Sequence, residues 1–196
     1  LSIMTTQDCN FECVYCFEDH IKSYMAEEVQ TRIKKCNEKY MTEYKNLHID
    51  WYGGEPLLNL DCIKNIGQYA INYCRNNKKG YTSSITTNGY LLSDQVYELL
   101  KNVGVTYFQI TIDGSKEDHD KRRCLIDGLP TYNKIIENIQ NGLKKNFRIG
   151  VRINVDNDNV EGCCELIDDL AKLENIEDNL SLVICTVTPC ENYTNI

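Results

Sequence analysis

No stretch of the 196 residues is apolar for long enough to cross a bilayer as a helix, so a membrane-spanning role is not expected. Positive charge is in short supply as well. The chain carries 21 Lys and Arg against 29 Asp and Glu, a net charge of −8, which disfavours the phosphate attraction on which non-specific nucleic-acid binding rests. An initiator methionine before Leu1 and a hydrophobic targeting stretch after it are both missing. The expectation is a single core domain, residues 1–196, cut from a longer protein and working in a reducing cytoplasm. Cysteine, by contrast, is plentiful, with eleven in the chain. An odd count, with several at helical core spacing, argues against a secreted disulfide framework. Cys36 falls in line with Met25, Val29, Ile33 and Tyr40, and Cys74 with Ile63, Ile66 and Ala70; both are expected to be small buried hydrophobes.

Three of the eleven stand apart. Cys9, Cys13 and Cys16 lie in Cys-Asn-Phe-Glu-Cys-Val-Tyr-Cys, close enough to hold one iron–sulfur cluster. A cubane of four irons and four sulfurs has four corners to ligate, so three thiolates leave one iron open to a small molecule. Such an arrangement serves chemistry rather than storage. Zinc is the competing metal, because thiolates are soft ligands that also suit it. Zinc sites, however, usually show two Cys-x-x-Cys halves or a Cys and His pair well apart, and His20 is the only histidine nearby.

Along the chain, β-branched apolar runs alternate with amphipathic stretches. Strands are expected at Leu1–Thr6, His48–Tyr52, Ser83–Thr87, Tyr107–Ile112, Ile149–Val155 and Ser181–Val187, with helices near Ala26–Met41, Leu60–Cys74, Asp94–Lys101, Tyr132–Lys145 and Val160–Leu173. Alternation of this kind implies an α/β fold with parallel pairing through crossovers. Ser93 suits the N-cap of the third helix and Gly104 its exit. Six βα units are too few for a closed eight-stranded barrel, which leaves an open doubly wound sheet or a partial barrel.

The three-then-two cysteine spacing resembles the signature of the radical S-adenosylmethionine (SAM) superfamily, in which the amine and carboxylate of SAM chelate the open iron. That resemblance implies a six-stranded parallel partial (βα)6 barrel, with little room in this chain for a sixth helix, and a mouth lined by the C-terminal ends of the strands. It also implies two cofactors, a 4Fe-4S cluster and SAM. Tyr15, before the last cysteine, matches an aromatic residue that lies near the adenine. Gly53-Gly54-Glu55, which alone would read as a turn before Pro56, is similar to the family segment that binds the SAM amine; its glycines would let backbone approach a ligand. Thr-Thr-Asn-Gly at residues 86–89 resembles a family motif that makes Asn88 a ligand contact, although Asn-Gly also makes a turn unaided. Thr111 matches a hydroxyl residue that contacts the SAM carboxylate. His119-Asp120-Lys121-Arg122-Arg123 resembles a segment whose arginine, here Arg123, reaches the same carboxylate, as a guanidinium fork can; the alternative is a solvated charge run. Arg152 and Asn154 share a strand face at the period of two. If they point inward, Arg152 is a buried charge in need of an anion.

The run of motifs, continuing through Asp113-Gly114-Ser115 to Gly128-Leu129-Pro130-Thr131-Tyr132, is similar to the SPASM-type maturases that modify peptides and proteins. The resemblance then implies a peptide or protein substrate, an electron donor such as a flavodoxin or ferredoxin, and a cysteine-rich C-terminal domain carrying auxiliary clusters beyond these residues. The chemistry implied is one-electron cleavage of SAM to methionine and a 5'-deoxyadenosyl radical, with the protein supplying a dry enclosure. Radical SAM chemistry on a small molecule and a non-catalytic metal-stabilised binding module are the rival readings. Cys163, Cys164, Cys185 and Cys190 are expected to be structural or incidental.

Overall fold

The computed structural model describes residues 1–187; Cys190 lies outside them. Eight strands and six α-helices follow one another as β1 (Ser2–Met4), β2 (Phe11–Cys13), α1 (Glu27–Met41), β3 (Asn46–Tyr52), α2 (Leu60–Asn76), β4 (Gly80–Thr87), α3 (Asp94–Asn102), β5 (Val105–Thr111), α4 (Lys116–Arg122), β6 (Arg123–Leu125), α5 (Tyr132–Lys144), β7 (Arg148–Val155), α6 (Val160–Leu170) and β8 (Leu180–Thr186). Six of the strands form one parallel sheet in the order β1-β3-β4-β5-β7-β8, the partial barrel that the family resemblance implies. All six expected strands are there, and Ser93 caps α3 by accepting from the Val96 N–H at 3.3 Å. Gly104 leaves that helix at φ +76, backbone that glycine enters without steric cost.

The period of two divides each strand between a packed face and a polar one. On β3, Leu47, Ile49 and Trp51 are buried, while His48, Asp50 and Tyr52 alternate with them on the inner wall. That wall continues across the sheet in polar side chains: His48 bonds Thr82 at 2.8 Å and Asp50 at 2.9 Å, and Ser84 donates to Asp50. The outer face packs under helices. α2 contributes Cys62, Ile63, Ile66, Ala70 and Cys74 to the core, as the spacing of its apolar residues predicts, and Tyr97, Phe108 and Phe147 meet ring to ring at 5.0–5.2 Å.

Cys36 departs from expectation. It is exposed, as are Val29 and Tyr40, and α1 instead buries Gln30, Asn37 and Met41. β1 is an edge strand, so the apolar stripe of α1 overhangs the end of the sheet, while the Gln30 amide enters the interface by donating to the Met25 carbonyl and accepting from Asn65. The other unexpected elements, β2, α4 and β6, build the site.

Candidate active site

The chain leaves β1 and immediately runs against the Gly53–Glu55 turn at the end of β3. Gly54 N–H donates to the Thr6 carbonyl at 3.1 Å and Glu55 N–H to that of Asp8 at 2.8 Å. A Cβ on Gly53, whose φ is +147, would stand 2.2 Å from the Thr6 carbonyl oxygen, and one on Gly54 would stand 2.5 Å from that of Asp8. Both glycines are thus required by the close passage of the segment leading into the cysteine loop. Glu55 is fully buried behind the turn. Its Oε1 accepts from the Leu57 N–H at 2.9 Å and the Thr87 hydroxyl at 2.8 Å, and its Oε2 from the Asn88 N–H at 2.8 Å, which leaves one acceptor position on Oε2. Burial pushes this carboxyl up to about 7 against those three donors.

The cysteine loop itself is held by an antiparallel ribbon in which β2 pairs with β6, setting Phe11 opposite Leu125 and Cys13 opposite Arg123. Register therefore brings Arg123 beside the cysteine loop. Phe11 is completely buried, and the Arg123 guanidinium lies over its ring at 5.8 Å and over that of Tyr15 at 5.9 Å. Arg123 Nη1 donates to the Tyr15 hydroxyl at 2.7 Å, whereas its Nε is buried without a hydrogen-bond partner among the described residues. Tyr15 in turn donates to the fully buried Asp113 and accepts from the Asn154 amide at 3.1 Å. Its hydroxyl is thereby spent on fixing the loop to the ends of β5 and β7. Asp113 figures in the sequence only as part of the Asp113-Gly114-Ser115 motif; a carboxylate directly after the strand that ends at Ile112 is the signal that marks it out.

Next door, Arg122 forms a two-pronged pair with Asp156, Nη1 to Oδ1 at 3.1 Å and Nη2 to Oδ2 at 2.8 Å, both side chains buried; its Nε also comes within 3.9 Å of Asp113 Oδ2, and its guanidinium lies 5.3 Å over the Tyr15 ring. Of the two arginines in the charge run, one is structural and one faces the cavity. The run is helical, as α4, and His119 within it is completely buried.

A cavity of about 410 Å³ opens at the strand ends, lined by Cys9, Cys13, Tyr15, Cys16, Gly53, Gly54, Asn88, Thr111, Arg123 and Arg152, together with Tyr52, Gln109 and Asn154. Every residue singled out in the sequence lies on its wall except Glu55, which stands behind it. Arg152 points inward and donates from Nε to Asn154 Oδ1 at 2.8 Å. The Asn88 side chain is occupied by its own turn, accepting from the Tyr90 N–H at 3.0 Å, and by the cysteine loop, donating to Asn10 at 2.8 Å.

All three cysteines of the loop are free thiols. Burial pushes Cys9 up to about 12, and pushes Cys13 up as well against the pull of Arg123; the thiolates also raise one another. Metal binding must displace any protons that these sulfurs hold. Among the described residues no three His, Cys, Asp or Glu converge on a single ion. A cubane makes no such demand, because each thiolate ligates a different iron. The donor set fits that cluster, and the unpartnered Arg123 Nε beside it fits a carboxylate.

Comparison with known proteins agrees with this geometry. The chain is 32% identical over 161 residues to the GTP 3',8-cyclase of Clostridium perfringens, covering 77% of this chain and 45% of that one. It is 31% identical over 156 residues to the serine-type anaerobic sulfatase-maturating enzyme of Bacteroides thetaiotaomicron, covering 70% and 34%. The chain thus spans less than half the length of these curated relatives. Among solved structures it overlays on anSMEcpe with bound AdoMet and the Cp18Cys peptide at a TM-score of 0.76, with 21% identity, covering 96% of this chain and 51% of that one. Residues 3–170 match the model of the radical SAM superfamily, and the chain belongs to that superfamily.

Proposed function

We propose that this chain is the core of a radical SAM enzyme that modifies a peptide or protein, with Cys9, Cys13 and Cys16 holding a 4Fe-4S cluster and the strand ends holding SAM. The observation that carries the SAM site is the buried Arg123 guanidinium, which register fixes opposite Cys13 and whose Nε has no hydrogen-bond partner among the described residues. In this reading Arg123 and the Thr111 hydroxyl take the SAM carboxylate, while the Gly53 and Gly54 carbonyls and the remaining acceptor of Glu55 take the amine. Tyr15 stiffens the loop beneath the adenine side, Asn88 shapes the adjoining turn, and Arg152 faces the substrate side of the cavity. When bound, cluster and SAM supply a 5'-deoxyadenosyl radical after one electron arrives from a donor such as a flavodoxin or ferredoxin. The chain's own task is to orient SAM and keep the pocket dry.

The peptide substrate is supported by the motif run of the maturases, whose last two members fold into one latch. Asp120 Oδ1 accepts from the N–H groups of Thr131 at 2.8 Å and Tyr132 at 2.9 Å, and His119 Nε2 donates to Thr131 Oγ1 at 3.0 Å. The identity to GTP 3',8-cyclase favours a small molecule instead, and one experiment separates the two. Anaerobically reconstituted protein is incubated with dithionite and SAM, and 5'-deoxyadenosine is measured with Cys- and Ser-containing peptides or with GTP. Stimulation by peptide with a mass change in that peptide is the expected result. Stimulation by GTP alone would replace the peptide with a small-molecule substrate, and no 5'-deoxyadenosine from cluster-loaded protein under any condition would overturn the enzyme.

A further inference from the structure

His20 has no role in the site so far, yet its Nε2 lies 3.1 Å from Cys16 Sγ and its ring lines the cavity. Its backbone sits at φ +48, left-handed territory in which a side chain with a Cβ is uncommon. The chain thus bends back after the last cysteine of the loop, in a way that returns the imidazole to the sulfur four residues earlier. A thiolate bound to iron carries no hydrogen and can only accept, so the contact requires the hydrogen on Nε2. We infer that His20 is a positioning residue that donates a hydrogen bond to the Cys16 thiolate and raises the reduction potential of the cluster. This rests on the proposed cluster at Cys9, Cys13 and Cys16.

The physical reason is direct. Reduction adds negative charge to the iron–sulfur core, part of it on the thiolate sulfurs, and an N–H aimed at one of them stabilises the reduced state more than the oxidised one. Hydrogen bonds to sulfur are among the factors that set such potentials, in the way that groups behind the ligands tune other metal sites. The inference concerns electron entry and leaves the substrate open. It also gives a function to a histidine whose only other use, as a zinc ligand, the cysteine spacing disfavours.

Two measurements on the reconstituted full chain test it. Iron and sulfide content comes first, because absence of a four-iron cluster in the unsubstituted protein defeats the cluster assignment itself and is distinguishable from failure of this inference. Redox titration followed by electron paramagnetic resonance then compares the protein with His20→Phe and His20→Gln. At equal iron content the Phe variant is expected at a more negative midpoint potential, with Gln, which keeps an N–H donor, lying between. An unchanged potential in the Phe variant would overturn the inference. Should the variants load poorly, pulsed resonance on the unsubstituted protein labelled with 15N-histidine decides. A weak coupling through one hydrogen bond supports the assignment, whereas no coupling, or the strong coupling of a direct nitrogen ligand, refutes it.

Discussion

His119 shows how a single side chain can be held in one protonation state by everything around it. The Asp113 N–H donates to its Nδ1 at 3.2 Å, its Nε2–H donates to Thr131, and Thr131 donates onward to the Arg123 carbonyl at 2.6 Å. Only the neutral ring with hydrogen on Nε2 satisfies that chain, since a second hydrogen on Nδ1 would face a donor. Burial, helped by Arg123 and Arg122 and opposed by Asp120, pushes the imidazole down to about 3. Unfolded, it titrates near 6.5, so below that pH the unfolded state takes up the extra proton and the folded state loses stability as the pH falls toward 3. The loss by pH 5.5 is about 1.4 kcal/mol relative to pH 7.5. Anaerobic urea unfolding at the two pH values, on the protein and on His119→Gln, reads it as a stability gap between them that narrows by that amount on acidification. A gap independent of pH would show that His119 does not titrate on unfolding.

At the scale of elements, the ribbon of β2 and β6 controls the site, and it is the part the sequence revealed least. Five of the sheet strands and the five crossover helices were legible because buried faces repeat with periods of two and 3.6, and the three-residue β1 because it lies in the run Leu1–Thr6 at the head of that alternation. α2 read correctly down to Cys74. α1 did not, because periodicity says which residues share a face and not whether the sheet extends far enough to cover that face. Phe11–Cys13 and Arg123–Leu125, three residues each and set inside the cysteine and charge motifs rather than in the strand–helix alternation, could be recognised only by their pairing. The short α4 was hidden in the same way by a charge run whose buried members, His119 and Arg122, look like surface residues. That the cysteines, the glycines and Thr111 share one cavity wall was legible from the motifs, and the way Tyr15, Asp113 and Asn154 share one hydroxyl was not, since it joins residues far apart in the chain. The ribbon predicts a separable defect. Ile126 N–H donates to the Asn10 carbonyl at 3.2 Å, beside a turn closed by the Gly128 N–H on the Leu125 carbonyl at 2.8 Å. Proline suits the second position of such a turn, so Ile126→Pro removes the ribbon bond and little else, about 1 kcal/mol. Thermal unfolding should shift by only a few degrees while iron incorporation drops by more than half. Full iron content in this variant would mean that the ribbon does not organise the cysteines.

For the molecule as a whole, the open side of the partial barrel has to be held in shape by bonds between strand ends, and Arg122–Asp156 is a buried, two-pronged one. It ties the end of α4, in the excursion after β5, to the residue following β7. Both partners are buried, so each was taken out of water at a cost that the pairing offsets. Removing one charge takes from the other its nearest opposite charge, although Arg122 keeps Asp113 within 3.9 Å. Asp156→Asn is therefore expected to lower the unfolding free energy by about 3–5 kcal/mol, and Arg122→Met by a comparable amount. Replacing both at once strands no charge, and the double variant should be more stable than the sum of the single losses allows, by at least about 1 kcal/mol in a double-mutant cycle. Additive losses would mean that the two side chains are solvated in solution and that the mouth of the barrel is held by the backbone alone. A coupled result would locate much of the rigidity of the cavity rim in one ion pair, beside the Arg123 that lines the cavity.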